Sequence, residues 1–256
     1  MILARSWLFA VLFYAWSLTL CVLFLPALAL PRGVVAWAFK LWARGVIVLL
    51  GVCCGIRVEV RGLQHVPTGR ALVAAKHQCM FDVFAQFVVL PDSCFVMRKE
   101  LMLIPFFGWY AWKQRMIVID RGGGAAALRQ MVRDGKDRLA EERQLVIFPE
   151  GHRGEPGVAG NYQPGVAGLY RDLGLPAHLV ATNSGVHWPA HGILRRPGVI
   201  VFEYLEPLPA GMKRADFMRQ MQERIEAASN ALLSPPATGG QGAPQPSPAA
   251  APSPGP

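Results

Sequence analysis

The chain has 256 residues, a formal charge of +9 and 52% hydrophobic residues. That length suits one domain with a sizeable core plus appendages. The positive charge does not mark a nucleic-acid binder, because no arginine-rich helix, zinc-ligand spacing or ribonucleoprotein motif accompanies it.

Residues 6–30 carry no charge, and no Asp or Glu precedes Glu59, whereas Arg5, Arg32, Lys40 and Arg44 do. A helix over this stretch, rising about 1.5 Å per residue, is long enough for a hydrocarbon core of about 30 Å. Trp7, Tyr14 and Trp16 supply interfacial aromatics. A secretory signal shares some of these features, since Arg5 precedes the apolar run and Ala27-Leu28-Ala29 mimics a cleavage site. The run is longer than a signal's usual core of about 7–15 residues. A second apolar segment, residues 34–52, is interrupted by Lys40 and Arg44, which share a helical face. That pattern predicts an amphipathic helix in the membrane interface with its cations reaching lipid phosphates. Residues 1–55 therefore read as a membrane anchor, either two spans or a helical hairpin dipping into one leaflet.

From residue 56 the texture changes. Short apolar runs at 56–60, 71–75, 94–98, 116–119, 145–148, 178–182 and 199–205 read as strands. Helical patterns fall at 81–90, 101–112, 125–142, 165–173 and 214–232. The last shows Phe217, Met221, Ile225, Ala228 and Leu232 at three- and four-residue steps, a core-facing stripe. Strands alternating with helices predict an α/β fold over residues 56–233, with a largely parallel sheet flanked by helices behind the membrane-associated segment. Residues 234–256 have no charged or aromatic residue and are rich in Pro, Gly, Ala and Ser, a composition expected to stay disordered. Cys21, Cys53, Cys54, Cys79 and Cys94 form no metal-ligand pattern and suit small buried hydrophobes in a reducing compartment.

Four polar turns each follow an apolar strand. In the first, Lys76-His77-Gln78-Cys79-Met80-Phe81-Asp82, an imidazole stands at a strand's carboxyl end, where α/β sheets bind ligands. Imidazole accepts a proton from a hydroxyl near neutral pH, and a carboxylate fixes its tautomer. On a straight helix five residues rotate by about 500° and separate the two side chains. His77 and Asp82 meet only if His77 lies in the turn and Asp82 in the first helical turn. The second, Asp120-Arg121 followed by three glycines, is either an anion site or an Asp N-cap beside a solvated Arg. In the third, Phe148-Pro149-Glu150-Gly151-His152-Arg153, the Pro and Gly shape a tight turn presenting Glu150 and Arg153. Arg153 suits a phosphate, and Glu150 a hydroxyl or Arg121. The fourth, Thr182-Asn183-Ser184-Gly185, offers small polar groups for an acyl or thioester site.

In order and spacing these blocks resemble the glycerophospholipid acyltransferases, in particular the bacterial 1-acyl-sn-glycerol-3-phosphate acyltransferases. His77 and Asp82 match their N-H-x4-D block, Ile119-Asp120-Arg121 their strand and D-R, and Phe148 to Arg153 their F-P-E-G-T-R. Lys76 replaces the usual Asn, His152 the usual Thr, and the fourth block is matched only loosely. The resemblance implies acyl transfer from acyl-CoA or acyl carrier protein to the sn-2 hydroxyl of 1-acyl-sn-glycerol-3-phosphate, forming phosphatidic acid. It implies His77 and Asp82 as catalytic residues, and Arg121, Glu150, Gly151 and Arg153 around the acceptor. No metal or cofactor is expected beyond the thioester co-substrate. The expected setting is the bacterial inner membrane, with the catalytic domain facing the cytoplasm. Two alternatives stay open: the same chemistry on another lysolipid, such as a lyso-ornithine lipid, and a non-catalytic lipid-binding protein. Ester hydrolysis lacks a G-x-S-x-G nucleophile elbow.

Overall fold

A computed structural model describes residues 1–233, apart from the side chain of Arg121. The Pro/Ala-rich segment 234–256 lies outside the described residues. The chain opens with helix α1 (Ile2–Leu23), a 3-10 turn over Leu25–Ala29 and helix α2 (Arg32–Leu49). Pro26 and Pro31, which lack the amide hydrogen a helix interior needs, separate the two helices. A π turn, Leu50–Cys54, closes α2 and ends on Gly55, whose φ of 67° favours glycine.

The two helices form an antiparallel hairpin. Arg5 Nε donates to the Cys53 carbonyl at 2.6 Å, Trp16 Nε1 to the Trp42 carbonyl at 3.1 Å, and Trp42 Nε1 to Ser17 Oγ at 3.0 Å. Gly45 permits this approach, since a Cβ there would lie 2.4 Å from the Trp16 ring. The inner face of the hairpin packs on helix α3 (Phe81–Val89). Phe39 stacks on Phe87 at 4.7 Å, Phe13 meets Phe84 at 6.0 Å, and Phe9 meets Trp188 edge-on at 5.4 Å. The outer face leaves Trp7, Leu8, Val11, Trp37 and Val48 exposed. Both helices are long and apolar enough to cross a membrane.

Docking on α3 also redirects the hairpin's cations. Lys40, expected to reach lipid phosphates, donates instead to the Pro91 carbonyl at 2.6 Å. Arg32 grips both oxygens of Asp92, at 2.9 and 2.6 Å. Arg44 remains exposed.

Seven strands form one sheet in the order β1-β7-β6-β2-β5-β3-β4. They are β1 (Ile56–Arg61), β2 (Ala71–Ala75), β3 (Ser93–Arg98), β4 (Ile117–Ile119), β5 (Gln144–Ile147), β6 (Ala177–Thr182) and β7 (Gly198–Leu208). Every neighbouring pair is parallel except β6 and β7. Alternation along β2 shows why the strands read as continuous apolar runs: Val73 and Ala75 face the hairpin and α3, while Leu72 and Ala74 face the opposite layer. That layer contains helices α5 (Gly124–Ala140), α6 (Gly165–Leu173) and α8 (Arg214–Ala231). Phe217, Met221 and Ile225 of the α8 stripe are fully buried.

The helix expected over 101–112 is split. A 3-10 turn covers Lys99–Leu103, and helix α4 starts only at Phe107, running to Lys113. Pro105 supplies no amide hydrogen, and Phe106 takes a φ of 62°, so the chain reorients there. A short helix α7 (Ser184–His187), unforeseen from the periodicity, follows β6.

Hairpin packing predicts that Gly45→Ala lowers stability by about 1–3 kcal/mol, because the added methyl must displace the hydrogen-bonded Trp16 ring. Thermal unfolding in detergent checks this; an unchanged midpoint would contradict the observed helix–helix contact.

Candidate active site

β6, β2 and β5 are adjacent and parallel, so the segments leaving their carboxyl ends meet. These segments carry Ser184, Lys76 with His77, and the 148–154 loop. His77 occupies the turn between β2 and α3, and Asp82 is the second residue of α3. His77 Nδ1 lies 3.0 Å from Asp82 Oδ2, the arrangement the five-residue spacing demands.

Asp82 is fully buried, and the turn is wrapped around it. Oδ2 accepts the backbone N–H groups of Gln78 at 2.6 Å and Cys79 at 2.8 Å as well as the His77 ring. Oδ1 accepts a short hydrogen bond from Ser184 Oγ and a weaker one from Cys79 Sγ at 3.7 Å. A carboxylate in this state only accepts, so Nδ1 of His77 carries the hydrogen and Nε2 keeps the lone pair. The imidazole stacks on Phe148, with centroids 4.1 Å apart and planes 21° apart, and stays partly exposed.

The 148–154 loop clasps the backbone of the same residue. Glu150 Oε2 accepts the His77 N–H at 2.7 Å, and the Gly154 N–H donates to the His77 carbonyl at 2.8 Å. Gly151 turns the loop with a φ of 71° and bonds back to the Phe148 carbonyl at 3.0 Å. Glu150 was expected near the acceptor. It is instead fully buried, with Oε1 2.6 Å from Lys76 Nζ, so its carboxylate is committed inside the protein. Burial pushes the Glu150 carboxyl up, opposed by Lys76 and the His77 amide. Arg153, on this loop, is exposed and donates to the Ala190 carbonyl at 3.2 Å.

The turn carrying Arg121 stands apart. β4 lies three strands from β2, on the order of 14 Å at about 4.8 Å per spacing. Asp120 caps that turn, accepting from the Gly122 N–H at 3.0 Å, and pairs with Lys99. The side chain of Arg121 lies outside the described ones.

Two further partnerships escaped the sequence reading. Ser184, in a block that suits an acyl or thioester site, donates to Asp82; its block was visible but this partner was not. Glu226 on α8 reaches Lys76 Nζ at 2.6 Å, and nothing in the sequence separates it from the solvated charges of that helix.

Comparison with known proteins shows the family of the chain. The family described as Acyltransferase matches residues 57–183. The chain is 33% identical over 186 residues to a 1-acyl-sn-glycerol-3-phosphate acyltransferase of Pseudomonas aeruginosa, covering 73% of this chain and 72% of that one. The chain belongs to the acyltransferase family. It is also 32% identical to a mouse 1-acyl-sn-glycerol-3-phosphate acyltransferase alpha over 60% of this chain and 54% of the mouse protein. Its fold is similar to the crystal structure of the 1-acyl-sn-glycerophosphate acyltransferase PlsC from Thermotoga maritima, with a TM-score of 0.77 at 19% identity, over 92% of this chain and 99% of that one. This acyltransferase thus keeps the hairpin-plus-sheet architecture of that structure.

Ser184→Ala leaves Asp82 Oδ1 with only the Cys79 thiol as donor. The expected cost is about 1–3 kcal/mol of stability, measured by denaturant unfolding. A stability equal to that of the parent protein would show that the hydroxyl does not support Asp82.

Proposed function

We propose that this acyltransferase moves an acyl group from acyl-CoA or acyl carrier protein to the sn-2 hydroxyl of 1-acyl-sn-glycerol-3-phosphate, giving phosphatidic acid. The observation that carries this reading is the His77–Asp82 pair at the carboxyl end of β2, with Nε2 free to take a proton. The names of the bacterial and mammalian relatives support the acceptor.

In the proposed mechanism, His77 Nε2 removes the hydroxyl proton as the oxygen attacks the thioester carbonyl carbon. Asp82 accepts the Nδ1 hydrogen throughout and offsets the charge of the imidazolium. The tetrahedral adduct collapses, the carbon–sulfur bond breaks, and the departing thiolate takes the proton back from His77. The protein forms no covalent bond to the acyl group. Arg153, exposed on the loop that clasps His77, binds the acceptor phosphate. The family resemblance supports the same role for Arg121.

The hairpin brings the site to its substrate. One face of each helix is occupied by α3, so we propose that the opposite face enters a single leaflet, on the cytoplasmic side of a bacterial inner membrane. Holding the enzyme where lysolipid resides converts a search in volume into one in a plane.

His77→Ala should remove acyl transfer in membranes given labelled thioester and lysophosphatidate, by at least about 10³-fold. A well-folded His77→Ala enzyme with near-parental activity would reject the base assignment. Arg153→Ala should raise KM for lysophosphatidate by about tenfold while leaving a phosphate-free lysolipid such as lyso-ornithine lipid unaffected. The reverse preference would point to the phosphate-free acceptor. Tryptophan fluorescence in vesicles of brominated lipid tests the hairpin: Trp7→Phe and Trp37→Phe should each remove part of the quenched signal. Unquenched emission at both positions would place the outer face away from lipid.

A further inference from the structure

The pair of catalytic candidates does not stand alone on the sheet. Behind it lies a buried cluster of charge that the mechanism does not use. Lys76, immediately before His77, is fully buried, although lysine is among the residues least often found inside. Its ammonium sits 2.6 Å from Glu150 Oε1 and 2.6 Å from Glu226 Oε1, and 3.5 Å from the Val158 carbonyl. Tyr162 is buried beside them and donates its hydroxyl to Glu226 Oε1 at 3.1 Å. Burial raises the Tyr162 phenol, which therefore stays a neutral donor.

Three charged groups out of water are expensive, and an apolar substitute of the same volume often serves stability as well or better. Their place in the fold accounts for them. The second oxygen of Glu150 accepts the backbone N–H of His77 at 2.7 Å. The contacts thus run Tyr162, Glu226, Lys76, Glu150, His77 amide. They tie the turn holding the imidazole to α8, a helix about 150 positions away in sequence on the other face of the sheet. Without Lys76, Glu150 would be one of two uncompensated carboxylates in a dry site and would move toward water, releasing the amide.

We propose that Lys76 and Glu226 are positioning residues for acyl transfer: through Glu150 they hold the His77 backbone so that Nε2 stands at the attacking hydroxyl. This rests on His77 being the base. The cluster is buried inside the protein, so its loss should lower turnover and leave substrate binding alone.

The test is steady-state kinetics of full-length enzyme in vesicles, with rates divided by folded protein from thermal unfolding. Lys76→Met should lower kcat about 10- to 100-fold, and the isosteric Glu226→Gln about 3- to 10-fold, with KM for lysolipid and thioester within about twofold. Glu223→Gln, on the exposed face of the same helix, should leave kcat within about twofold. In a His77→Ala background neither buried-cluster substitution should change the residual rate, because no base is left to position. If Lys76→Met does not fold, Glu226→Gln decides. A lower melting temperature with unchanged kcat would overturn the proposal in favour of a purely structural ion cluster. A raised KM at unchanged kcat would overturn it in favour of a binding role. Near-parental activity of His77→Ala itself would instead reject the base assignment on which the proposal rests.

Discussion

Asp82 is a carboxylate with no access to water, and the turn from β2 into α3 takes its shape from the need to satisfy it. An unpaired charge in that position would cost several kcal/mol, so donors from two segments converge on it. Two are backbone amides of the turn, one is the His77 ring, and one is the Ser184 hydroxyl from the end of the neighbouring strand. The orientation of the imidazole follows from these bonds. Because Nδ1 is spent on Asp82, Nε2 is the nitrogen left to work.

The layers around the sheet serve that geometry in different ways. On one face, α3 presents Asp82 at its start and Phe84 and Phe87 further along, and the aromatic pair receives the N-terminal hairpin. The element that bears the carboxylate thus also fixes the apolar hairpin relative to it. On the other face, α8 reaches the same turn through the buried Lys76 and Glu226. The position of the hairpin relative to the imidazole is consequently set by packed side chains, with no flexible tether between Gly55 and β1 at Ile56.

Much of this could be read in the sequence. Apolar runs of strand length, the α8 stripe and the four polar turns identified an α/β sheet with a site at its strand ends. The geometric condition on His77 and Asp82 followed from helical rotation alone. The failures share a cause: a charged or polar residue's partner is a tertiary fact. Glu150 and Lys76 look like surface groups by type, and Glu226 like its exposed neighbour Glu223, yet the three meet in the interior. Ser184 was recognised as part of a polar block, but its partner Asp82 was not. Lys40 read as a lipid-facing cation until the Pro91 carbonyl supplied a nearer acceptor. The continuous helix expected over 101–112 failed for a different reason: the missing amide hydrogen of Pro105, a local property, was passed over.

The central claim is that Asp82 holds and supports His77 as the base. Asp82→Asn tests it most directly, because an amide can keep its carbonyl toward the Gln78 and Cys79 N–H groups and its NH2 toward Ser184, preserving shape while removing charge. Measured as acyl transfer to lysophosphatidate, kcat of the folded variant should fall on the order of 10³-fold, with KM values little changed. A folded Asp82→Asn enzyme that turns over at the parental rate would contradict the account.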